Sequence, residues 1–92
     1  MRYYEPNYNP TDAEKYAAHL GRILMDYSMN MPMKGLSNDE VARSNRMSAF
    51  GDRLTRIGSE FGPKTFNDVI ESAGVTMTEA KEFLKLAKKE DK

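Results

Sequence analysis

Apolar residues recur at helical spacing in four blocks along this chain of 92 residues, and polar caps, glycine and proline separate the blocks. In the first block Ala13, Tyr16, Ala17, Leu20, Ile23, Leu24 and Tyr27 follow a Thr11-x-x-Glu14 capping box, which predicts a helix over residues 12 to 28. The opposite face carries Asp12, Lys15, His19, Arg22 and Asp26, a solvated surface with Arg22 and Asp26 one turn apart. Residues 29 to 36 contain proline and glycine, break the periodicity and form a loop.

Ser37 and Glu40 make a second capping box, with Leu36 placed to staple onto Val41, so the next helix begins near 38. Its apolar stripe is Met47, Phe50, Leu54, Ile57 and Phe61, and Gly62 with Pro63 is the expected stop. At roughly 100° per residue Arg43 falls in the direction of that stripe while Val41 points away. Either the helix bends near Gly51 or its start projects beyond the core.

The last third is the most punctuated. Thr65 and Asp68 cap a helix over 66 to 73, and Gly74 ends it. Thr76 with Glu79 supplies a further capping box, Val75 is placed to staple onto Ala80, and a fourth helix follows over 77 to 89. Lys85, Lys88 and Lys89 lie in its final turns, where they complement the helix dipole. No segment alternates with period two, and no internal repeat is present. The expected fold is all-α: one small four-helix domain over 1 to 92, with an aromatic arm at 1 to 10, a helix-turn-helix-like C-terminal unit and a frayed tail at 90 to 92.

Composition narrows the chemistry. Charged residues make up 30% and hydrophobic ones 39%, an ordinary globular balance. Fourteen basic side chains offset fourteen acidic ones, which argues against a protein whose main business is coating nucleic acid or an anionic membrane. The first forty residues hold four basic and six acidic groups and the remainder ten and eight, a mild shift toward basic. With no cysteine, disulfides, thiolate nucleophiles and cysteine metal sites are excluded. No apolar run of signal-peptide or membrane-spanning length is found, so a cytoplasmic location is expected.

Catalysis has little support. His19 is the one histidine and lies on a charged helix face, and phosphate-binding glycine loops are absent. Gly21, Gly51 and Gly58 instead suit close helix approach. We expect no enzyme, no cofactor, no metal and no small-molecule substrate.

Residues 66 to 86, with Gly74 at the turn, Val75 after it and Phe83 as a buried anchor, resemble the helix-turn-helix of DNA-binding repressors. Ile70 and Ala80 depart from that family's usual choices. The resemblance implies a groove-facing side made of Thr76, Met77, Thr78, Lys81 and Lys85, and the second helix offers Arg43, Arg46, Arg53 and Arg56 as candidates to hold phosphates. Glu79 and Glu82, beside Lys81, would meet phosphate repulsion if they faced the backbone. The run GVTMTEAKEFL is also similar to helical segments of ribosomal stalk proteins and of ubiquitin-associated-type domains, which bind proteins. A third reading is an elbow that only closes the fold.

Three features suit a protein partner. Tyr3, Tyr4 and Tyr8 in the arm offer large, rigid contact area, unless they fold back onto the helices. Met29, Met31 and Met33 follow Met25 into the first loop, where they form an adaptable patch or plug a gap. Arg46, Arg53 and Arg56 form a basic flank suited to carboxylate or phosphate, or a solvated face neutralised by Asp52 and Glu60. The expected function is stoichiometric: a small regulator or inhibitor that occludes a protein or nucleoprotein surface, of a size common among phage and mobile-element proteins. A helix-turn-helix DNA-binding regulator, in keeping with a homodimer, is the alternative.

Overall fold

The computed structural model describes residues 10 to 32 and 34 to 91, and every regular element among them is helical. Helix α1 spans Asp12–Asn30, α2 Asn38–Thr55, α3 Phe66–Ala73 and α4 Met77–Glu90. Three starts are full capping boxes. Thr11, Ser37 and Thr65 each accept from the backbone N–H three residues on, and Glu14, Glu40 and Asp68 each accept from the cap's own N–H. Helix α1 runs through Asn30, two residues past its expected end, and α4 through Glu90, with Asp91 closing onto the Ala87 carbonyl at 2.9 Å.

Two expectations need correction. The fourth start is a half box: the Thr76 hydroxyl accepts from the Glu79 N–H at 3.1 Å, but the Glu79 carboxylate is bonded to Arg46 instead of reaching back. Helix α2 stops at Thr55, well short of Phe61. Gly58 takes φ 83°, a left-handed conformation that ends the helical path before the next turn. Ile57 stays buried, whereas Phe61 is 77% exposed and leaves the core stripe.

Helices α1 and α2 run antiparallel with a repeating close approach. Gly21 faces Gly51: a Cβ on Gly21 would stand 2.5 Å from the Gly51 carbonyl oxygen, and one on Gly51 would stand 2.6 Å from that of Gly21. Seven residues on in α1 and seven back in α2, the Ser28 hydroxyl donates to the Ser44 carbonyl at 3.0 Å. Seven in the other direction, Glu14 lies against Gly58. Glycine and serine at this period let the two helices approach closely at Gly21 and Gly51 and again at Ser28 and Ser44, and the Glu14 contact lies just beyond the end of α2.

Helix α3 packs on α2 and α4 on α1, and they meet α2 through an aromatic centre. Phe50 is fully buried, with Phe66 edge-on at 6.1 Å and Phe83 tilted at 5.8 Å. Arg43 explains why its direction coincides with the apolar stripe. Its guanidinium lies 5.1 Å over the Phe83 ring, so the second turn of α2 reaches α4 through this side chain, while Asn38, Asp39 and Glu40 in the first turn are exposed. Between α3 and α4, Gly74 takes φ 71° and the Val75 N–H bonds back to the Ile70 carbonyl, which makes a tight elbow.

Candidate interaction surface

The segment from Arg56 to Thr65 is irregular, yet its backbone is bonded to itself. The Gly58 N–H donates to the Pro63 carbonyl at 2.8 Å and closes the loop at its neck. Within the neck, the Ser59 N–H donates to Arg56 at 3.1 Å and the Gly62 N–H to Ser59 at 3.3 Å. The Lys64 ammonium donates to the Ser59 carbonyl and, at 3.0 Å, to that of Glu60. Ser59 is buried, and Gly62 lies so close to the Arg56 carbonyl that any side chain there would collide. Phe61 is therefore held at the tip of a closed loop with its ring in solvent.

Beside the ring, Asp52 accepts from Arg53 Nη1 at 2.5 Å and lies 3.5 Å from Arg56 Nη2. The Arg56 side chain is still 63% exposed. Together with Pro63, Glu71 and Ser72, these groups line an open groove next to Phe61. A large rigid ring, a bidentate-capable cation and a shallow groove are what an interface anchor consists of. The apolar periodicity of residues 47 to 61 concealed this site, and its one visible signal was the second glycine, Gly58, ahead of Gly62 and Pro63.

The other expected residues are distributed as follows. Met29 is 75% exposed and Met31 half-buried at the far end of α1, where they adjoin a second groove lined by Ile23, Tyr27 and Pro32. Because α1 and α2 are antiparallel, this end is opposite the one that carries Arg53, Arg56 and Phe61. Tyr3, Tyr4, Tyr8 and Met33 lie outside the described residues. Arg46 belongs to neither end. It grips Glu79 through Nε at 2.6 Å and Nη2 at 2.9 Å, joining α2 to the start of α4. These bonds hold the Glu79 carboxyl below its ordinary range and push the Arg46 guanidinium up. Arg43 approaches Glu82 at 3.7 Å.

On α4, Thr76 is occupied as the cap, while Met77, Thr78, Lys81 and Lys85 are exposed. His19 contacts Asp91 at 2.9 Å across the α1 to α4 seam. Among the described residues no group of three or more acidic or histidine side chains is arranged to hold a metal. No helix among them is long and apolar enough to cross a membrane.

No family model, curated protein or solved structure matches this chain.

Proposed function

We propose that this protein is a non-enzymatic, stoichiometric regulator of the cytoplasm that occupies a surface of a protein partner, with Phe61 as its central anchor. The observation that carries this reading is a phenylalanine 77% exposed on a loop closed at its neck by the Gly58 to Pro63 backbone bond. A loop tied in this way loses little freedom on binding, so most of the energy from burying the ring is retained as affinity. Arg56 and Arg53 beside it provide directional contacts to carboxylates of the partner. Met29 and Met31 make a separate, adaptable patch at the other end of the helix pair.

The test is affinity capture from host lysate with the full chain, Phe61→Ala and Arg56→Glu in parallel. A discrete protein retained at constant stoichiometry by the full chain and lost from both variants is the expected result. Retention by Phe61→Ala equal to that of the parent would remove Phe61 as the anchor. Failure of the parent to retain any protein would end the reading.

A further inference from the structure

Most charged side chains on α4 are sorted by direction, with Glu90 exposed at its last turn as the exception. Glu79 and Glu82 turn toward α2, where Arg46 and Arg43 engage them. Asp91, just past the helix, turns toward α1 and meets His19. Arg46 thereby offsets the repulsion that Glu79 would exert on a polyanion, and Arg43, at 3.7 Å, offsets part of that from Glu82, whose side chain stays 58% exposed.

The lysines go the other way. Lys81, Lys85 and Lys88 fall within one narrow arc of the helix, with Lys89 at its edge, and all four are exposed. None has a carboxylate partner among the described residues. The opposite side of the helix is fully committed, with Ala80, Phe83 and Ala87 at 0% exposure. A net charge of zero therefore conceals one helix face on which every formal charge is positive.

We infer that this outer face of α4 is a second binding site, one that takes the phosphate backbone of duplex nucleic acid without reading its sequence. Lys81 to Lys88 span about 10 Å of helix axis, a length over which a duplex presents several phosphates. Lysine is a compact charge on a flexible stem, suited to following phosphates. The face carries no arginine, asparagine or glutamine for bidentate base contacts, so its lysines are better suited to phosphates than to reading a particular sequence. Exposed Thr78 adds a hydroxyl of the kind that bonds phosphate oxygens. An anionic membrane fits less well, because the apolar side of α4 is buried in the core and cannot insert. An acidic protein surface fits less well because the face lacks the aromatic and arginine anchors of protein interfaces. This site is independent of the Phe61 loop, and either can fail while the other stands.

The experiment is fluorescence anisotropy with the full chain and two labelled 30-base-pair duplexes of unrelated sequence. Both should bind with comparable affinity at 50 mM NaCl, and affinity should fall about 40- to 150-fold by 200 mM, as expected for three to four phosphate contacts. Lys81→Gln, Lys85→Gln and Lys88→Gln combined should weaken binding at 50 mM at least tenfold with the helical circular dichroism unchanged. The corresponding triple arginine variant should retain it. Absence of binding at 50 mM, or binding that the glutamine variant keeps, overturns the inference. So does equal binding of polyglutamate or of phosphatidylserine vesicles, which would assign the face to a protein or a membrane. A tenfold preference for one duplex would overturn its indifference to sequence.

Discussion

Glu79 shows how much one side chain can decide. Its spacing from Thr76 marks it as half of a capping box, but its carboxylate closes a two-bond clamp on Arg46, thirty-three residues earlier. A local pattern reveals the cap, whereas the partner becomes visible only once α2 and α4 are packed. The clamp has a pH signature. Glu79 has a lowered pKa, first through its bond to Arg46, so its contribution to stability is present above the ordinary glutamate value of about 4.3 and is lost as pH falls through the depressed native value. Charge-assisted bonds between partly exposed groups contribute about 1–2 kcal/mol. Urea unfolding of the parent and Glu79→Gln should differ by about that much at pH 7, and the difference should narrow as pH falls below about 4.3. Glu40 and Asp68 are depressed by bonds to backbone N–H groups near their caps, but both are present in each protein and cancel in the comparison. A gap that stayed constant through the acid range would show that Glu79 acts through packing and not through its charge.

At the level of elements, the antiparallel pair α1 and α2 depends on two residues with no side chain at their closest approach. Alanine at Gly21 would gain about 1 kcal/mol of helix propensity. Its Cβ would also stand 2.5 Å from the Gly51 carbonyl and 2.8 Å from Leu54 Cβ. Backbone cannot rotate out of the way as a side chain can, so the helices must separate along a seam that continues to Ser28 and Ser44. We expect Gly21→Ala to lose about 1–3 kcal/mol net, seen as a drop in thermal midpoint of about 5 °C or more. An unchanged or raised midpoint would mean that the seam yields freely. The helix starts were legible because a cap is written within four residues of sequence. The end of α2 was not, because Phe61 continues the spacing of Leu54 and Ile57, and two glycines offered a stop. Gly58 prevails because it adopts the left-handed turn that lets Lys64 and Pro63 close the loop, an arrangement set by contacts across the neck.

Taken whole, the molecule divides functions that a one-dimensional reading would merge. The methionine patch and the arginine flank are near enough in sequence to be imagined as one surface. The antiparallel register instead separates them: the Ser28 to Ser44 contact lies at one end and the Glu14 to Gly58 contact at the other, fourteen residues of α1 apart. At 1.5 Å per residue that is about 21 Å, more than the roughly 16 Å radius of a circular patch of about 800 Å², so a standard partner site centred on one end does not reach the other. The two ends are also too far apart to couple through shared contacts. Removal of the Phe61 ring should therefore change stability by no more than about 0.5 kcal/mol, since the ring is in solvent, while weakening the captured partner by about 2 kcal/mol or more. Met29→Ser should leave that affinity within about threefold, less than the tenfold that 1.4 kcal/mol would produce, and the double variant should equal the sum of the two. Isothermal titration of the captured partner against all four proteins measures this directly. A Met29→Ser loss as large as that of Phe61→Ala would mean that the partner embraces both ends of the helix pair, and the anchor would then have to be shared between them.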